Sequence, residues 1–268
     1  MSRYKKSAIV VIGALILSVV GIQASDTLRG LEGSLTGNVN DADAVCGPGA
    51  VQFLLGSHAL CVDQFEASPD EDCPHSVPTN PVHTQDNVNF SACAPVSQPE
   101  VIPWRFVSLA QAQQLCARTG KRLPTNEEWY KFSSGLADQS DCVLNSGNSP
   151  EPTGGNECVT PAGVYDVVGN LWEWIEGSVT DGQYDNRAVP ESGYVSLVDA
   201  DGVVLETSAQ PSDEFGADYA WTKNPGVYGV IRGGFYGSES DGGIFAQNLS
   251  VPFDFKTSGV GFRCVRDI

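Results

Sequence analysis

Two short alternating runs, Val51–Leu55 and Ala59–Gln64, predict a pair of strands near the start of the polar part of the chain. A Pro-rich segment bounded by cysteines follows, from Ser68 to Pro103, and reads as a loop. The period then lengthens. In SLAQAQQLCARTG, Leu109, Ala112, Leu115 and Cys116 share one face, with Ser108 placed to cap a helix and Gly120 to stop it. In KRLPTNEEWYKFSSG, Thr125 and Glu128 have the spacing of a capping box for a second short helix ending near Gly135. Beyond that point the helical period disappears. Asp199-Ala-Asp-Gly202 joins YVSLV to VVLET as a hairpin, and dense glycine and turn residues predict short strands tied by long loops. The pattern gives one α+β domain over 46–268 with two short helices.

Ser7 to Ala24 breaks this pattern: it carries no charge and follows Arg3, Lys5 and Lys6. That layout over 1–24 is a signal peptide ending at Ala24 or, because Ile22 is a poor −3 residue, an uncleaved N-terminal membrane anchor through residues 7–24. Residues 25–45 are small and polar and read as a linker or stalk. In both cases the domain is exported, to the extracellular space or the outer face of the membrane. All eight cysteines lie beyond the apolar run, which favours disulfides over metal or thiol chemistry. The three histidines, His58, His75 and His83, show no metal-ligand spacing. A formal net charge of −18 repels nucleic acid and anionic lipid, and suits calcium, a cationic partner or a salty exterior.

Four motifs say more: GKRLPTNEEW at 120–129, GVYDVVGNLWEW at 163–174, IRGGFY at 231–236 and GFRCVR at 261–266. In this order and at this spacing the chain resembles the formylglycine-generating enzyme (sulfatase-modifying factor) family. The resemblance implies an irregular C-type-lectin-like fold with a ligand cleft, and puts Trp172 and Trp174 on alternating faces about the central strands. Active members bind copper through two cysteines that follow the RGG-aromatic motif. The matching positions here are Ser238 and about Gly243, and a hydroxyl cannot replace the soft thiolate that Cu(I) needs. Neither copper nor formylglycine-generating oxidase activity is expected. A second branch, the iron-dependent sulfoxide synthases of thiohistidine biosynthesis, requires a His-x3-His-x-Glu type site, so iron is not expected either.

Structural features of the family carry over better. Its calcium site around GN-x-WEW maps onto carboxylates of Asp166 and Glu173 and backbone carbonyls of Gly169 and Leu171, hard oxygens flanking a Gly turn. The other reading of the same residues is that Asp166 caps a turn and Glu173 pairs with an arginine. The family's bridge from first helix to GFRC strand implies Cys116–Cys264. A second family bridge would start near Ser133, where the cysteine is missing. Cys142–Cys158 is its expected replacement, Cys73–Cys93 closes the Pro-rich loop, and Cys46–Cys61 remain.

With catalysis set aside, loop chemistry points to binding of an unknown protein or cell-surface ligand. FYGSESD presents Phe235, Tyr236, Ser238, Glu239, Ser240 and Asp241 on a glycine-flexible frame, and SVPFDFK adds Phe253 and Phe255. For these aromatics, burial in the core is the alternative. No nucleotide is expected, because the Gly-rich loop has no Lys and its acids repel an anion. The same C-terminal segment resembles the variable proteins of diversity-generating retroelements, whose mutagenesis of Asn codons yields Phe, Tyr, Ser, Asp and Gly. An enzyme of different chemistry on the same scaffold is the competing class.

Overall fold

The computed structural model describes residues 45–136 and 139–268, so the leader, the anchor and all but the last residue of the linker lie outside it. Val45–Ile268 forms one compact unit by itself. Among the described residues no helix is long and apolar enough to cross a membrane. β1 (Ala50–Leu55) and β2 (His58–Asp63) pair antiparallel, and β14 (Val265–Asp267) adds to β2. The first and last strands of the described domain therefore meet in one small sheet. A two-stranded ribbon, β3 (Ala67–Pro69) with β4 (Pro95–Ser97), flanks a helix that the Pro-rich loop reading missed.

That helix, α1 (Pro81–Asn89), starts at Asn80, whose side chain accepts from the Val82 and His83 N–H groups, with Pro81 in the first turn. Asn followed by Pro is a start signal, but the helix is mostly polar and shows no apolar stripe. Among the described residues the two expected α-helices become three for that reason. α2 (Leu109–Arg118) and α3 (Asn126–Ser133) are each closed by a capping box, Ser108 with Gln111 and Thr125 with Glu128. Their reciprocal bonds satisfy N–H groups that a helix start otherwise leaves open.

The large sheet runs β7-β6-β5-β11-β12-β10-β8-β9, with β13 (Val260–Gly261) also on β5. Its strands are β5 (Trp172–Thr180), β6 (Gln183–Tyr184), β7 (Arg187–Ala188), β8 (Gly193–Val198), β9 (Val204–Ser208), β10 (Tyr219–Thr222), β11 (Val227–Arg232) and β12 (Gln247–Val251). The β8–β9 pair is the hairpin read from YVSLV and VVLET. β5 divides the core. Trp172 and Trp174 join Trp104, Leu115 and Phe262 in one cluster, while Ile175 and Val179 join Trp129 and Phe132 in the other. The two tryptophans thus share a face, which corrects the expected alternation: residues two apart on a strand point the same way. Glu173, between them, faces the other side.

Four disulfides join Cys46–Cys61, Cys73–Cys93, Cys116–Cys264 and Cys142–Cys158, leaving no free cysteine. Bridges of this number belong to a chain that folds in an oxidising, extracytoplasmic compartment.

Candidate functional site

The RGG-aromatic motif is an anchor for the loop that follows it. Arg232 is fully buried and lies 4.7 Å over the Trp129 ring. It donates to the Ile244 carbonyl at 2.7 Å and the Gly202 carbonyl at 3.1 Å, tying the far end of the loop to the β8–β9 connection. Gly233 has φ of 95°, and a Cβ there would lie 2.5 Å from the Val167 carbonyl, so the chain passes too close for a side chain. Inside the loop the Ser238 hydroxyl accepts from the Phe235 N–H, and the Tyr219 N–H reaches the Asp241 carbonyl. The loop is therefore preorganised, not free.

Beneath it is a cavity of about 410 Å³ lined by Trp172, Tyr194, Trp221, Phe235, Gly237, Ser238, Glu239, Ser240, Asp241 and Asn248. Sequence reading found the loop half of this lining and missed Trp172, Tyr194, Trp221 and Asn248. Trp172 and Trp221 meet edge to face at 5.6 Å, and Tyr219 continues the series between Trp221 and Tyr194. These rings come from β5, β8 and β10, separate runs in sequence, and each alone reads as a core aromatic.

Three candidates fall elsewhere. Tyr236 does not line the cavity: it is 5% exposed, packs with Val143 and Leu171, and its hydroxyl bonds the Ser258 hydroxyl at 2.8 Å. The Phe235 ring packs against that of Tyr236 edge to face at 5.1 Å, so Phe235 lines the cavity from above while Tyr236 is buried behind it. Phe253 lines a different cavity with Leu109, Ala110, Gln113, Glu176, Gly177 and Ser178, and Phe255 is exposed without lining either one.

The positions matching the copper cysteines are closed. Ser238 is buried and its hydroxyl holds the turn. At Gly243 a Cβ would lie 2.2 Å from Asp218 Oδ1. Asp218 is fully buried and its Oδ2 accepts from the Phe245 N–H at 2.7 Å, while Oδ1 has no partner. Burial pushes this carboxyl up from 3.8 to about 7. The sign follows: a raised folded-state value means stability is full below the unfolded value and is lost as pH rises through 7. Asp218→Asn is expected to stabilise the protein by roughly 4 kcal/mol at pH 8, a gain that shrinks toward zero near pH 4. Urea titrations of both forms at the two pH values check it.

A second buried cluster holds the calcium candidates. Glu173 receives Nε of Arg263 at 2.8 and 2.9 Å and the Trp129 indole N–H at 2.7 Å, all at full burial. Asp166 accepts from the Gly154 N–H at 2.7 Å. Glu66, which sequence reading missed, accepts from the Leu171 N–H at 3.0 Å and from the Asn170 amide. Burial, followed by repulsion from Asp166 and Glu173, pushes Glu66 well above the usual carboxylate range, and burial raises Asp166 to about 6. Three buried carboxylates thus face one guanidinium. These are hard oxygens of the kind a divalent cation takes, but Glu173 is already committed to Arg263 and Trp129.

Residues 139–268 match the sulfatase-modifying factor enzyme 1-like domain. The inactive Cα-formylglycine-generating enzyme 2 of Bos taurus is 30% identical over 36% of this chain and 40% of its own length. The Mus musculus protein of the same name is 27% identical over 37% and 39%. The chain spans about two fifths of the length of the curated relatives it matches. Among solved structures, the Major Tropism Determinant P3c variant matches 82% of this chain and 52% of its own, with 16% identity and a TM-score of 0.46. Treponema denticola variable protein 1 matches 82% of this chain over its whole length, with 13% identity and a TM-score of 0.43.

Proposed function

We propose that this sulfatase-modifying-factor-like domain is a non-catalytic binding module, exported and displayed, which takes a protein or cell-surface ligand in the cavity under the 235–241 loop. The observation that supports it most is the closure of the copper positions. Ser238 is built into the turn, Asp218 fills the space a side chain at 243 would need, and all eight cysteines are bridged. Where active relatives keep a thiol pair, this chain keeps a rigid loop over an aromatic cavity. Screening the full chain against peptide and glycan arrays tests the reading. A ligand bound by wild type and lost with Trp221→Ala supports it; retention of every ligand by that variant contradicts it.

Calcium belongs to the same proposal as a structural ion. Asp166 and the carbonyls of Gly169 and Leu171 would hold it beside Glu66, while Glu173 serves through its ion pair with Arg263. When bound, it would neutralise the surplus buried charge and rigidify the 163–174 segment. Excess EDTA at pH 7.5 is expected to lower the melting temperature of wild type and to leave Asp166→Asn unchanged. Equal melting of wild type with EDTA and with calcium sinks this part.

A further inference from the structure

We infer that the cavity under the 235–241 loop recognises an organic cation, an alkylammonium group. This rests on the binding-module reading and adds the class of ligand. Trp172 and Trp221 stand at 87° to each other, so two indole faces form a corner, with Phe235 and Tyr194 extending the wall. An aromatic face carries negative potential, and tryptophan is the strongest of the three ring types in attracting a cation. Glu239 and Asp241 border the same space, and neither takes part in an ion pair among the described residues. No Lys, Arg or His lines it.

Charge and shape agree here. An anion would meet two carboxylates with no counter-charge. A neutral ligand would leave both acids uncompensated against the ring faces. An alkylammonium group satisfies both sides at once: its apolar surface packs in the indole corner and its charge faces the carboxylates. The net charge of −18 draws cations toward the surface before they find the site. Two sources can present this group, a free quaternary ammonium compound or a lysine side chain of a partner protein.

The test uses the intrinsic fluorescence of the full chain, since Trp172 and Trp221 line the cavity. Butyltrimethylammonium, a lysine-rich peptide and 3,3-dimethylbutanol, a neutral mimic of the trimethylammonium head, are titrated against wild type and against Glu239→Gln/Asp241→Asn. We expect saturable quenching by at least one cation, about tenfold weaker for the neutral mimic and about tenfold weaker in the double variant at an unchanged melting temperature. Tighter binding of the small cation assigns a free ligand, and tighter binding of the peptide assigns a protein partner; both support the proposal. Equal affinity for the neutral mimic, or no loss in the double variant, overturns the cation assignment. An array ligand lost with Trp221→Ala would still uphold the binding module in that case. Absence of any saturable response to the cations overturns this inference, and failure of the arrays as well overturns both.

Discussion

Arg263→Met is expected to lower stability by about 3–5 kcal/mol, or the melting temperature by about 10 °C or more, at pH 8. The arginine is fully buried and supplies more than its pairing with Glu173. It also donates to the carbonyls of Asp63 and Gln64 at 3.1 Å and of Tyr165 at 2.7 Å, binding β2, the 163–174 segment and the last strands together. Its removal leaves those carbonyls open and Glu173, Glu66 and Asp166 without their cation. The sign with pH follows from the same charges. Arg263 holds Glu66 and Asp166 down against the burial that raises them, so losing it raises these two further in the folded state; the deficit is largest at pH 8 and shrinks toward pH 4. Glu173→Gln added to Arg263→Met should recover part of the loss, because it removes a buried charge left unpaired. Thermal scans at both pH values check the ordering; an equal deficit at pH 8 and pH 4 would contradict it.

Removing the Cys116–Cys264 bridge is the other large effect. The two residues are 148 apart in sequence and both fully buried, joining α2 to the chain end just before β14. On the chain-entropy account a bridge of that span contributes about 5 kcal/mol, and those spanning 15, 16 or 20 residues about 3 kcal/mol each. Cys116→Ala/Cys264→Ala should therefore show a larger fall in urea midpoint than Cys142→Ala/Cys158→Ala. The reverse order would mean that local packing, not loop closure, sets the contribution of these bridges.

Local chemistry made the two capped helices and the β8–β9 hairpin legible, because caps, apolar period and turn residues act over a few positions. α1 was hidden by its polarity, although Asn80-Pro81 marked its start. The site was half legible for the same reason. Phe235, Ser238, Glu239, Ser240 and Asp241 sit on one loop and can be read together. Trp172, Tyr194, Trp221 and Asn248 reach the cavity only through strand order, which no local pattern encodes. The Glu66–Asp166–Glu173–Arg263 cluster is likewise assembled from three distant segments, of which only 163–174 could be read locally. Tyr236 sits on the same loop yet is buried, because its ring packs with Val143 and Leu171 from distant segments.

The family resemblance and the closed copper positions lead to one central claim, that the loop after RGG is a presented surface and not a reaction centre. The most direct measurement incubates the full chain with copper, oxygen and a cysteine-containing sulfatase-motif peptide, and follows the peptide by mass spectrometry. The expected result is an intact cysteine at the level of the protein-free control. Conversion to formylglycine that depends on the protein would contradict the account.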